Sequence, residues 1–92
     1  MQIRWTITAS KNLEQIERYI SKDNPSAAID MVLTIINAVS LLEQQPAMGR
    51  PGRIMNTKEL IIPGTPYLVP YRIKNQTVEI LRVFHGAMKW ID

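Results

Sequence analysis

Apolar and polar positions along this chain begin with a two-residue alternation, pass to a helical spacing, and return to alternation. From Gln2 to Thr6 the pattern sets Ile3 and Trp5 on one side and predicts a short strand. Ala9, Leu13, Ile16 and Ile20 then recur on one helical face. They predict a first helix running to about Lys22, capped by Thr8 or Ser10. Asn24 before Pro25 marks a second helix start, because proline at the first helical position lacks only an N–H that has no partner there anyway. This helix should reach about Gln45 and stop before Pro46. Its core stripe is Ala28, Val32, Ile35, Val39 and Leu42, widened by Ile29, Leu33, Ile36 and Leu41. The short Asp23-Asn24 link makes the two helices an antiparallel hairpin.

Pro46 to Pro51-Gly52 is rich in turn formers and reads as a loop, carrying Arg50 and Arg53. Three strands should follow, at about Lys58 to Ile62, Tyr67 to Lys74 and Thr77 to Phe84. A two-residue turn at Asn75-Gln76 would set Arg72 opposite Glu79. Strict alternation then turns Tyr67, Val69, Tyr71, Ile73, Val78, Ile80, Arg82 and Phe84 toward the helices. Leu68, Pro70, Arg72, Glu79, Leu81, Val83 and His85 would face solvent or a partner. Pro70 has no N–H for a ladder and predicts a bulge or an unpaired position beside it. The order is β-α-α-β-β-β in one α+β domain over 1–92: a helical hairpin on one face of a mostly antiparallel sheet.

Composition narrows the chemistry. With no cysteine there is no disulfide, thiolate metal site or thiol nucleophile, which suits a cytoplasmic setting. One histidine and scattered carboxylates offer no metal-ligand spacing, and Gly49 and Gly52 fit no phosphate-binding loop, so no cofactor is expected. No signal-like start and no apolar run of bilayer length is read, so no membrane partner is expected. The net charge of +3 and pI near 9.5 suit an anionic partner.

Five segments, in this order and spacing, carry a resemblance: IRWT (3–6), DNPSAA (23–28), MGRPGR (48–53), ELIIPGTPYLVPYRI (59–73) and VEILRVFHGAMKW (78–90). Over its whole length the chain resembles toxins of the RelE/ParE superfamily. That resemblance implies two helices on an antiparallel sheet and a cognate antitoxin that silences the toxin. It implies contact with DNA only through that antitoxin. Two kinds of toxicity are implied as alternatives: cleavage of messenger RNA on the ribosome, or inhibition of DNA gyrase. A non-toxic, antitoxin-binding relative is the third reading.

Metal-free RNA cleavage needs a base, a cation at the phosphate and an acid for the leaving oxygen. The candidates here are His85, Arg72, Arg50 and Arg53, with His85 suited because an unperturbed imidazole titrates near neutrality. Two departures from the RelE-like pattern oppose this reading. Tyr67 is followed by Leu68 where RelE-like nucleases resemble one another in an Arg, and no late Tyr follows Trp90. The ending is similar instead to the ParE-like branch. On that reading His85, Lys89, Trp90, Arg50 and Arg53 would contact gyrase, with no chemistry of their own. Structural roles compete throughout. His85 could simply bond local backbone, Arg72 could pair with Glu79, and Arg82 could reach Glu17 as a partly buried cation. Trp90 could lid the sheet edge, and the broad apolar girth of the second helix could seat an antitoxin helix.

Overall fold

The structure, a computed structural model, describes residues 1–87. Strand β1 (Gln2–Trp5) leads into helix α1 (Ile7–Ser21), and Pro25–Ser40 forms α2. The cap of α1 is Thr6, not Thr8 or Ser10. Its hydroxyl accepts from the Ala9 N–H (3.2 Å) and donates to the Ile80 carbonyl (2.7 Å). One side chain thus satisfies an orphan helix donor and ties the helix start to the sheet. The second cap is as expected: Asn24 Oδ1 accepts from the Ala27 N–H at 3.1 Å, with Pro25 at the first turn. The α-helix ends at Ser40 and tightens into one 3-10 turn, Leu41–Glu43, short of the expected Gln45. Counted through Glu43, this segment is 19 residues and apolar enough by length and composition to cross a membrane, contrary to the sequence expectation. It packs against α1, and its Ile35, Val39 and Leu42 lie in the core of the domain.

The remaining strands are β2 (Arg50–Pro51), β3 (Lys58–Ile61), β4 (Tyr67–Lys74), β5 (Thr77–Ile80) and β6 (Phe84–His85). Strand β2 lies inside the segment expected to be all loop; it pairs antiparallel with β3. The sheet order is β1-β5-β4-β3-β2, with β6 against the start of β4. The sheet is mixed, because β1 pairs parallel to β5 while the other pairings are antiparallel. The β4–β5 turn is as expected. Asn75 and Gln76 both adopt positive φ (51° and 58°), the left-handed pair of a type I′ turn, and Arg72 faces Glu79.

One residue of slippage corrects the expected faces. Tyr71 stands opposite Ile80 and Leu68 opposite Phe84, so three steps on β4 oppose four on its partner. The Leu81 N–H donates to the Pro70 carbonyl at 2.9 Å. In an antiparallel strand, the N of Pro70 points to that same side, so the missing proline N–H falls where the ladder bulges. Beyond the bulge, inside and outside exchange. Val83 enters the core and Phe84 moves to the face away from the helices. His85, paired with Tyr67, takes the helix side.

The helix-facing layer therefore holds Leu60, Val69, Tyr71, Val78 and Ile80, all buried, with Ile3 and Trp5 packed at its margin. The opposite face is less open than expected, since Leu68, Pro70, Glu59 and Glu79 are also buried.

Candidate functional site

The face away from the helices is built by cross-strand register. Arg50, Glu59 and Pro70 form one row across β2, β3 and β4. Arg72, Glu79 and Arg4 form the next, across β4, β5 and β1. Each row holds a buried carboxylate that pairs with two arginines. Glu79 accepts from Arg72 Nε at 2.5 Å and pairs with Arg4 through its other oxygen. Glu59 accepts from Arg50 Nη2 (3.2 Å) and from the Arg53 backbone N–H (3.1 Å), with Arg53 Nε at 3.7 Å. A buried carboxylate needs such partners, because stripping its water is costly unless hydrogen bonds replace it. The four guanidinium groups are each about half exposed, so they shield the carboxylates with their stems and present charge outward.

The basic loop is locked by its own geometry. The Gly52 N–H donates to the Thr57 carbonyl (2.8 Å), and Asn56 turns the chain at φ 66°. Arg53 is carried back over the sheet, with its guanidinium carbon 5.9 Å from the centre of the Phe84 ring. Farther back, the buried Tyr71 hydroxyl donates to the Pro46 carbonyl (2.7 Å) and accepts from the Gly49 N–H (2.8 Å). Burial pushes the Tyr71 pKa up, and the Gly49 bond opposes part of that rise.

Arg50, Arg53 and Arg72 thus share one face. Arg82 lines a cleft of about 440 Å3 with Arg72, Asn56 and Thr6, rather than facing the core. Glu17 lines a separate depression, beside Trp5 and Ile36. His85 does not join Arg72 of β4. It is exposed and lies edge-on to Tyr67 (centroids 5.9 Å apart, planes at 81°). Its Nδ1 accepts from the Ala87 N–H at 3.1 Å. Tyr67, the residue opposite His85, is five positions from Arg72, about 16 Å of strand, and the two residues belong to opposite sheet faces. The Tyr67 hydroxyl has a raised pKa, first from burial and then from Tyr19. Lys89 and Trp90 lie outside the described residues.

Sequence reading missed two organisers of this face, Glu59 and Arg4. Glu59 carried a faint signal as an acid between Lys58 and the apolar run Leu60-Ile61-Ile62, downstream of two loop arginines. Arg4 carried none, because its place beside Glu79 depends on the parallel β1–β5 pairing.

A second feature lies on the other side of the molecule. Ile29, Leu33 and Ile36 of α2 remain exposed, an apolar stripe at helical spacing, while the exposed Leu41 in the following 3-10 turn lies beside Met48 and Arg50. A depression of about 370 Å3 beside the stripe is floored by Trp5, Leu13 and Val32.

This architecture is shared. Residues 3–90 match the family model described as ParE toxin of the type II toxin–antitoxin system parDE. The chain is 48% identical over 89 residues to Y4kP of Sinorhizobium fredii, a candidate toxin by name, covering 97% of this chain and 92% of that protein. It is 31% identical over 86 residues to Toxin RelE2 of Caulobacter vibrioides, covering 94% and 96%. Among solved structures, a chain of the chromosomal ParDE system of P. aeruginosa superposes with a TM-score of 0.87 at 27% identity, covering 92% of this chain and 95% of that one. A chain of the Mycobacterium tuberculosis RelBE2 toxin–antitoxin complex gives a TM-score of 0.59 at 29% identity, covering 91% and 95%. The fold and its match define a type II toxin of the RelE/ParE superfamily. The chain belongs to the ParE toxin family.

Proposed function

We propose that this toxin arrests growth in the cytoplasm by binding DNA gyrase, and that a cognate antitoxin neutralises it by covering the apolar stripe of α2. The observation that carries the gyrase reading is the separation of His85 from Arg72, two of the candidate nuclease groups. A metal-free nuclease needs its acid, base and phosphate-binding cation around one scissile bond. Here His85 and Arg72 belong to opposite sheet faces about 16 Å apart along the strand. The higher TM-score with the ParDE chain than with the RelBE2 chain points the same way. On this reading His85, Lys89 and Trp90 contact gyrase together with Arg50 and Arg53, and no bond is made or broken by the toxin. Arg82 and Glu79 are structural. The antitoxin assignment rests on the toxin–antitoxin complexes among the structural relatives and on the exposed Ile29, Leu33 and Ile36. An amphipathic helix laid in such a groove is a common mode of peptide recognition.

The resemblance to Toxin RelE2 motivates the second reading, a messenger-cleaving toxin using His85 with Arg50, Arg53 and Arg72. One experiment separates the two. The chain is expressed alone from a tightly repressed promoter, and chromosomal DNA and messenger RNA are followed after arrest. Gyrase inhibition predicts cleaved gyrase–DNA complexes and a DNA-damage response with messengers intact. Rapid messenger cleavage with intact chromosomes would overturn it.

A further inference from the structure

We propose that the arginine face opposite the helices docks the phosphate backbone of duplex DNA, so that the toxin itself touches DNA. The proposal stands apart from the gyrase reading and can be tested without gyrase. Its basis is the placement of charge. Arg50 on β2, Arg72 on β4 and Arg4 on β1 lie on one side of the sheet, and Arg53 and Arg82 border the same surface. Lys74, two residues beyond Arg72 on the same strand, projects to the same side and is exposed. From β2 to β1 is four strand spacings in the sheet order, about 19 Å. That span covers five or six base steps of duplex at about 3.4 Å each.

The two buried glutamates hold the cations without cancelling them. Glu59 is shared by Arg50 and Arg53, and Glu79 by Arg4 and Arg72, so each carboxylate leaves one positive charge in excess. A guanidinium held through one edge keeps its remaining N–H groups for a second anion, and its planar fork matches phosphate oxygens.

Two features favour a duplex over other polyanions. Binding to single strands relies on exposed aromatic rings that stack bases. On this face the aromatic ring among the described residues is Phe84, which is buried beneath Arg53. An acidic peptide added as a strand would run along a sheet edge, whereas these arginines are arrayed across the strands.

The test is fluorescence anisotropy of the purified chain with a labelled DNA duplex of about 20 base pairs, against single-stranded RNA of equal length and polyglutamate. Neutralising about three phosphates predicts a fall in affinity of about 40-fold between 50 and 200 mM salt. Arg50→Ala and Arg72→Ala should each weaken binding and flatten the logarithmic salt slope by about 0.9. Glu79→Gln, which removes the opposing charge, should tighten duplex binding, a gain that a misfolded variant could not produce. The proposal fails if the arginine variants bind as the parent does, or if Glu79→Gln weakens binding in a protein that melts normally. It fails also if RNA or polyglutamate binds more tightly than the duplex.

Discussion

Tyr71 joins the core to the basic loop through one oxygen. Its ring is buried between sheet and helices, and its hydroxyl holds Pro46 and Gly49 at the point where the chain leaves the helical layer for β2. Tyr71→Phe would leave a carbonyl and an N–H without this partner, at a cost of about 1–3 kcal/mol. In a domain of this size each kcal/mol lowers the melting temperature by roughly 4–8 °C, which a thermal melt resolves. Gly49 is tied to the same contact, because a Cβ there would lie 2.7 Å from both Cε1 and Oη of Tyr71. Gly49→Ala should therefore destabilise by about 1–3 kcal/mol through forced displacement of the ring. The double variant with Tyr71→Phe should lose less than the sum, since both act on one contact. The raised pKa values of Tyr71 and Tyr67 fix a sign for the pH dependence. A group with its folded pKa above the unfolded value, near 10, stabilises fully below that pH and loses its contribution as pH climbs through the folded value. Melting temperature should be insensitive to these groups below about pH 10 and fall above it. Tyr71→Phe should soften that fall.

At the scale of elements, the β4–β5 turn places Gln76 in the left-handed region, where a Cβ costs about 1 kcal/mol and glycine costs less. Gln76→Gly should raise stability by about 0.5 kcal/mol after the extra freedom of the unfolded chain is subtracted. Denaturant unfolding would detect this as a higher midpoint with an unchanged slope. Both helices, the α2 cap and this hairpin were legible in the sequence because each depends on neighbours in the chain: a 3.6-residue stripe, Asn24-Pro25, and a two-residue turn that pairs Arg72 with Glu79. The faces of residues 82–85 were not legible. Alternation along Thr77 to Phe84 is read correctly only if no residue is inserted, and the inserted residue answers to Pro70 on a different strand. Pro70 announced a bulge without saying on which strand the extra residue would fall. The cap of α1 was misread for a similar reason. Thr6 serves the helix and also the Ile80 carbonyl, a contact between residues 74 positions apart. As for the candidate site, Arg50, Arg53 and Arg72 were found from composition and turn chemistry. Glu59 and Arg4, which organise them, emerge only from strand order.

The whole molecule divides its surfaces by chemistry. One side of the sheet carries arginines around two buried carboxylates, and the outer side of the helical hairpin carries the apolar stripe. If the stripe is the antitoxin site, its residues do little for the fold. Leu33 is 51% exposed, so a change there removes little packing. Leu33→Asp should melt within about 2–4 °C of the parent, since exposed substitutions change stability by about 0.5 kcal/mol or less. The same change should weaken the cognate antitoxin by at least about 10-fold to 100-fold, the loss expected for a buried leucine anchor before any charge penalty. Calorimetric titration of antitoxin into the two proteins reads the affinity. Growth of cells expressing both partners then reads the consequence: the variant toxin should escape neutralisation while keeping its activity. Arg50→Ala supplies the opposite control, because the arginine side should leave antitoxin affinity unchanged. A normal antitoxin affinity for Leu33→Asp would place the antitoxin elsewhere and leave the stripe without a role. A loss in both variants would mean that the antitoxin wraps both sides, and that neutralisation acts partly by covering the arginine face itself.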